Sequence, residues 1–297
     1  MLKIVKKMLL PIYGYFFRIY CKYLYKRDPR KSAELYVKMN DHRLPNLENP
    51  TDLVDKNIWL ALNTDTTIWT RCSDKYAVRS YVEECGLGNI LNELYAKWDN
   101  ADDIDFNTLP DKFVIKTNNG CATVLIVTDK SNLDVKETKK KLNTWLKKEY
   151  GYYGYNGHYL RITPCLICEK YLEDSKSDFR PIDYKFYCAN GKPLIVEVIT
   201  GRSAAGHNSV STLYDLNWSV VHESSTESDE LVEKPQSFDE MVHYCDVLAK
   251  DFPFVRVDFY EIEGKPIFGE LTFTPDVQNF SYKMRKEIAD QIVLPCA

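Results

Sequence analysis

The stretch Phe254–Pro275, FVRVDFYEIEGKPIFGELTFTP, decides how the rest of the chain is read. Two runs rich in β-branched and aromatic residues flank Glu263-Gly264-Lys265, the composition of a β-hairpin. With a three-residue turn, Val255, Val257 and Phe259 share a face with Gly269, Leu271 and Phe273, and that apolar face suits a core. The other face sets Asp258 against Glu270 and Arg256 against Thr272. Like charges facing across a ladder repel, by roughly a few tenths of a kcal/mol or more. Two readings follow. A divalent cation can lie between the carboxylates, since Mg²⁺ takes one or two carboxylates plus substrate phosphates. Alternatively, the face is solvated and Asp258 and Glu270 pair loosely with Arg256. If the carboxylates repel, neutralising either one should raise the melting temperature.

A chain of 297 residues can bury a sizeable core, as one large domain or two to three smaller units. Its formal net charge of -4 gives no sign of a nucleic-acid partner. Charged residues at 28% and hydrophobic ones at 44% are ordinary for a globular protein. Nine scattered cysteines, an odd number, predict reduced thiols and a cytoplasmic setting. Cys165 and Cys168 form a lone CxxC inside an apolar run, which reads as a buried strand rather than zinc or redox chemistry. The five histidines show no metal-ligand spacing.

Residues 1–31 are basic and aromatic, and their longest uncharged run, Met8–Phe17, is too short to span a membrane. Two readings stand: a segment lying on the inner membrane surface, or a helix packing on the protein's own core. Pro11 is expected to break that helix near its first third. Short helices and turns are expected to about residue 73, then a helix from Asp74 to Cys85 capped by Asp74 and stopped by Gly86. An acidic connector, Trp98–Asp111, precedes a strand at Lys112–Lys116, a turn at Asn118–Thr123 and a returning strand at Val124–Thr128. A charged helix over Leu133–Tyr150, a glycine–tyrosine loop over Gly151–Tyr159 and a strand at Leu166–Leu172 follow. Strands at Asp183–Cys188 and Pro193–Ile199 flank Asn190-Gly191, a strong hairpin signal, and an amphipathic helix over Phe238–Lys250 precedes the acidic hairpin. This mixture predicts an α+β fold. Its chemistry suits phosphate: Lys75, Lys116 and Lys185 sit by turns or strands, and Asn119–Thr123 can offer backbone N–H groups to phosphate oxygens.

Taken in order, Asp74-Lys75, Phe113-Val-Ile-Lys116 with its loop, Glu169-Lys-Tyr-Leu172, Lys185 and Arg256-x-Asp258…Glu270-x-Thr272 resemble the ATP-grasp superfamily. The wording DKYAVR, LPDKFVIKTNNG, EKYL, DYKFYCANGKP, FPFVRVDFYE and FGELTFTP is similar to its teichuronopeptide-biosynthesis (TupA)-like branch, over roughly residues 40–280. The resemblance implies an ATP-grasp fold, in which two α+β lobes clasp ATP after a small helical N-terminal region. The units would be 1–73, a first lobe over 74–172, and a second lobe with the metal site over 173–297. It also implies an ATP- and Mg²⁺-dependent carboxylate–amine ligase of capsule or other surface-polysaccharide synthesis. Such an enzyme would pass through an acyl phosphate to join an amino acid or amine to a small-molecule or lipid-linked sugar substrate.

The same resemblance assigns residues. Lys75 and Lys116 would contact ATP phosphates, with Asn118, Asn119, Gly120 and Thr123 in the loop above them. Glu169, Lys170 and Leu172 would meet adenine, and Lys185 would reach the terminal phosphate. Arg256 would stabilise the transferring phosphoryl, and Asp258, Glu270 and Thr272 would hold the metal. Thr272 stands where many relatives have Asn, and the loop after Lys116 has only Gly120, with Asn118 and Asn119 able to take positive φ. Arg202, His207 and Asn208 could bind an acceptor, and Tyr152, Tyr153, Tyr155 and Tyr159 could stack on a sugar or simply pack. Other readings are a phosphotransferase on the same fold, a non-catalytic nucleotide binder, and a glycosyltransferase using the Asp103-Ile-Asp105 triplet.

Overall fold

The computed structural model describes residues 2–173, 181–201, 209–222 and 231–295, with side chains from residue 14 onward. Four helices open the chain: α1 (Leu2–Arg27), α2 (Pro29–Asn40), α3 (Leu53–Asn63) and α4 (Thr67–Ser73). Then come α5 (Val78–Glu84), β1 (Leu94–Trp98), β2 (Phe113–Thr117), β3 (Val124–Val127), α6 (Val135–Leu146) and β4 (Leu166–Lys170). The last part holds β5 (Asp183–Ala189), β6 (Lys192–Thr200), β7 (Val210–Tyr214), α7 (Phe238–Leu248), β8 (Phe254–Ile262), β9 (Lys265–Thr272) and α8 (Tyr282–Gln291).

The strands make two sheets, ordered β1-β4-β2-β3 and β7-β6-β5-β8-β9, and every pairing is antiparallel. The smaller sheet packs with α6 around Phe113, Ile115, Leu142, Trp145 and Leu166. The larger sheet buries Phe186, Val196, Val255, Val257, Phe259 and Leu271 against α7, and α2, α3, α4 and α8 close the same core. The helices of residues 29–73 therefore share their core with the five-stranded sheet. Ion pairs of Arg285 tie them to the C-terminal helix, to Asp41 (2.8 Å) and Asp52 (3.2 Å), while Arg43 pairs with Asp55 (2.8 Å) within the N-terminal helices.

Three sequence expectations change. The helix α1 runs through Pro11 without a break. An interior proline removes one intrahelical bond and kinks or breaks the helix, and here, with turns on both sides, the helix continues. The turn of β8–β9 has two residues, Glu263 (φ 52°) and Gly264 (φ 73°), with Ile262 paired to Lys265. A β-bulge at Gly269 then restores the register. Phe259 pairs with Phe268, so Phe268 rather than Gly269 joins the buried face, while Asp258 still faces Glu270. The helix expected from Asp74 begins at Val78, with the Asp74 carboxylate accepting from the N–H groups of Tyr76 (2.8 Å) and Ala77 (3.2 Å) in the turn before it.

Candidate functional site

The polar face of the five-stranded sheet is built by alternation. Cross-strand pairing sets Glu197, Lys185, Asp258 and Glu270 side by side across β6, β5, β8 and β9, with Arg256 and Thr272 paired one step along. The opposite faces of these strands carry the core, so this row projects the other way. A cavity of about 420 Å³ lies over its Lys185, Asp258 and Glu270, with Val114, Lys116 and Glu169 of the smaller sheet on the other wall. Such a volume suits a nucleotide-sized ligand.

Cations and carboxylates interlock at and beneath the cavity wall. Arg256 donates to both oxygens of Asp258 (2.7 Å each) and to Glu270 (3.0 Å), and Lys185 donates to Asp258 (2.9 Å). Lys75 reaches from the first sheet's side to the Gly120 carbonyl (2.9 Å) and lies 3.6 Å from Glu270. Burial alone would raise the Glu270 carboxyl, but Lys75, Arg256 and Lys185 outweigh it and hold the pKa down to about 2. For Arg256, burial opposes the charge, yet Asp258 and then Glu270 keep the guanidinium firmly protonated. Repulsion between the two carboxylates is thus already neutralised by protein cations, and the expected rise in melting temperature on neutralising one of them does not follow.

The donor set fits Mg²⁺ carried in with a nucleotide. Two carboxylates stand on neighbouring strands, both line the cavity, and the Glu270 side chain is 37% exposed to it. Thr272 does not line the cavity; its hydroxyl donates to Glu270 (3.0 Å) and accepts from Arg256 (3.2 Å), which orients both.

On the smaller-sheet side, Lys116 pairs with Glu169 (2.7 Å). Arg79, which the sequence reading did not single out, lies 3.8 Å from Glu169 and lines the same wall. Lys75 and Arg79 are four residues apart flanking the start of α5, and that spacing was the available signal. Apolar lining comes from Val78, Leu91, Val114, Val124, Ile126 and Phe268. Lys170 and Leu172 line the cavity too, but the backbone N–H of Lys170 donates to Glu93 (2.9 Å) and its carbonyl accepts from Asn92 (2.9 Å).

The loop after Lys116 divides its work. Gly120 joins the cavity wall, packed so closely under the Tyr150 ring that a Cβ would collide with it. Asn118 anchors the loop to β4 instead: its side chain accepts from the Cys165 N–H (2.8 Å) and donates to the Thr163 carbonyl (3.0 Å). Thr123 bonds the Thr117 hydroxyl (2.6 Å), and Asn119 is buried off the cavity. Positive φ falls on Ala122 (57°) rather than on either asparagine.

Other candidates resolve simply. The tyrosines of the 151–159 loop pack inward: Tyr152 on Tyr25, Tyr153 on Phe17 and Tyr36, Tyr155 on Tyr36, and Tyr159 on His158. Cys165 and Cys168 flank and join β4, and burial pushes both thiols up to about 12, which removes the thiolate that redox or metal chemistry needs. Asp105 caps a short turn by accepting from the Asn107 N–H (3.0 Å), and neither it nor Asp103 lines the cavity. Arg202, His207 and Asn208 lie outside the described residues.

A family model described as TupA-like ATPgrasp matches residues 55–293. Among solved structures, the D-alanine–D-alanine ligase from Bacillus anthracis complexed with ATP is similar at TM-score 0.44 and 18% identity, over 75% of this chain and 65% of that one. The L-amino acid ligase from Bacillus licheniformis gives 0.45 and 14%, over 75% and 45%. D-cycloserine synthetase DcsG gives 0.45 and 14%, over 77% and 71%. The chain thus spans 65% of the length of the first of these ligases, and no curated protein matches it. With the family model spanning most of the chain and the two antiparallel sheets enclosing one cavity, the chain belongs to the TupA-like ATP-grasp family and has its α+β fold.

Proposed function

We propose that the protein is an ATP- and Mg²⁺-dependent carboxylate–amine ligase. The observation that carries the reading is Asp258 facing Glu270 on one wall of a cavity whose other lining includes Lys75, Lys116 and Lys185. ATP lies between residues 74–172, which carry the smaller sheet, and 173–297, which carry the larger. Its adenine meets the apolar wall beside Glu169, Lys170 and Leu172. Lys75 and Lys116 hold its phosphates under the Gly120 loop, and Lys185 meets the terminal one. Asp258 and Glu270 would hold Mg²⁺, which would supply positive charge to the phosphates.

Phosphoryl transfer to a carboxylate brings anions together, so positioning and charge neutralisation carry the catalysis. Arg256 and Lys185 provide fixed positive charge where negative charge gathers on the transferring phosphoryl. The carboxylate becomes an acyl phosphate, the closed sheets keep water from it, and an amine displaces phosphate to leave an amide. By the family resemblance, the carboxylate belongs to a surface-polysaccharide sugar or its lipid-linked precursor, and the amine is an amino acid or related compound. Incubation with ATP, uronic-acid sugars and hydroxylamine should trap a hydroxamate and release ADP. An O-phosphorylated sugar without hydroxamate would assign a phosphotransferase instead.

A second surface favours contact with an anionic membrane. Among the described residues no helix is long and apolar enough to cross one. On α1, however, Tyr15, Phe16, Ile19, Tyr20 and Tyr23 form an exposed stripe, while Phe17, Lys22 and Tyr25 turn toward the 149–153 segment. Residues 1–27 carry no acidic side chain. Each Lys or Arg near an anionic leaflet contributes about 1 kcal/mol. The full chain should float with phosphatidylglycerol vesicles at low salt, and Phe16→Ser with Tyr20→Ser should abolish flotation without unfolding.

A further inference from the structure

The polar face of the larger sheet holds a second cavity, of about 310 Å³, lined by Lys185, Arg256, Glu197, Asp276 and Gln278, among others. Lys185 lines both cavities. We propose that this second cavity binds the amine co-substrate as a primary ammonium ion, with Glu197 as its counter-ion and proton acceptor. The proposal rests on the ligase reading and adds to it where the second substrate sits and what charge it brings.

The argument starts at the register. On the strand order β6-β5-β8, Lys185 stands between Glu197 and Asp258. Its ammonium goes to Asp258 at 2.9 Å, and among the described residues no cation lies within ion-pair range of Glu197. The partners of Glu197 are neutral: it accepts from the Tyr187 hydroxyl (2.8 Å) and the Ser211 hydroxyl (2.7 Å). Burial, and after it the Glu197 charge, push the Tyr187 hydroxyl well above its ordinary pKa, so it stays a donor. A buried carboxylate supplied only with neutral donors is costly unless a cation joins it. Glu197 is only 7% exposed and borders a cavity large enough for a small substrate.

The cavity's two cations are already engaged: Lys185 with Asp258, and Arg256 with Asp258 and Glu270. Its two carboxylates, Glu197 and the exposed Asp276, have no such ion pair among the described residues. A cationic ligand therefore finds Glu197 without a counter-ion, and Lys185 marks the boundary with the phosphate cavity, where the carbonyl carbon of the acyl phosphate would lie. In the transfer step the ammonium gives one proton to a Glu197 oxygen, and the freed lone pair attacks that carbon. The C–N bond forms, the C–O bond to phosphate breaks, and phosphate leaves with the bonding pair and the second nitrogen proton.

Isothermal titration calorimetry on the full chain with Mg²⁺ tests this, using AMPPNP first and then glycinamide or ethanolamine, with acetamide as the uncharged control. The amine titrations are run with and without AMPPNP, so loss of nucleotide binding counts against the ligase reading and loss of amine binding against this proposal. Expected is binding of at least one ammonium probe to the wild type, none of acetamide, and a drop of about tenfold or more in Glu197→Gln. Glutamine keeps an acceptor for Ser211; should that variant fail to fold, Asp276→Asn at the exposed mouth should still weaken the probe several-fold. Binding of neither probe, or equal affinity in the wild type and every folded variant, overturns the assignment.

Discussion

Arg256 holds two carboxylates at once, and that contact sets the sign of substitutions around it. Asp258→Asn takes one partner from Arg256 and one from Lys185, both buried. It should lower stability, toward the low end of about 3–5 kcal/mol because asparagine still accepts hydrogen bonds, as read by urea denaturation. ADP release should vanish in the same protein. Lys116→Ala and Lys185→Ala should each cost about 2–4 kcal/mol of transition-state stabilisation in kcat/KM, the scale of one preorganised charge contact. His158 gives a pH test. Burial and then Arg161 hold its imidazole pKa down to about 3, between Trp69, Tyr159 and Phe273. The unfolded chain takes the proton near pH 6.5 and the folded one does not, so stability falls as pH drops below that value. By pH 5 the loss from this residue should be about 2 kcal/mol, and His158→Phe should flatten the profile between the two. The facing carboxylates were legible because a strand alternates with period two. The work of Asn118 was not, since its partners Cys165 and Thr163 lie more than 40 residues away and are set by tertiary packing rather than by the motif it sits in.

At the scale of elements, turn chemistry explains what sequence reading found and missed. Asn190-Gly191 forms the two-residue turn its composition announces, with both residues at positive φ (46° and 77°). Glu263-Gly264 adopts the same geometry with a residue that resists it, which hid the turn's length. Glu263→Asn should therefore stabilise the hairpin by up to about 1 kcal/mol, measurable as a higher urea midpoint at unchanged slope. The strands β1 and β7 escaped notice because each is a five-residue edge strand with little clean alternation. The helix α8 has a narrow buried face of Met284, Arg285, Ile288 and Ala289 in an otherwise charged segment, a weak periodic signal.

Across the whole molecule, the N-terminal helices and the last helix depend on each other. Lys56 donates to the carbonyls of Ala289 (2.7 Å) and Ile292 (2.8 Å), satisfying the end of α8, and Arg285 bridges Asp41 and Asp52. Arg285→Ala leaves the Asp52 carboxylate buried with less compensation, and should destabilise by roughly 3–5 kcal/mol in chemical denaturation. It should also expose the 41–56 segment to proteases in the native state, which a change confined to α8 would not. The mixed α+β order and the sharing of one cavity by distant motifs were visible in the sequence. The ion pairs of Arg285 with Asp41 and Asp52 were not, because both ends look like ordinary surface charges until the fold brings them together.

The bulge at Gly269 lets the hairpin absorb length changes. Deleting that glycine, or adding one residue to the Glu263-Gly264 turn while erasing the bulge, leaves Asp258 opposite Glu270. Close to Asp258, a Cβ at residue 269 would approach its carbonyl oxygen to 2.9 Å, so the slack depends on glycine. Divergent relatives can therefore drift by a residue in the interval between these carboxylates with the pair still aligned. A search pattern for this lineage should hold the opposition fixed and leave the count between the two acids free.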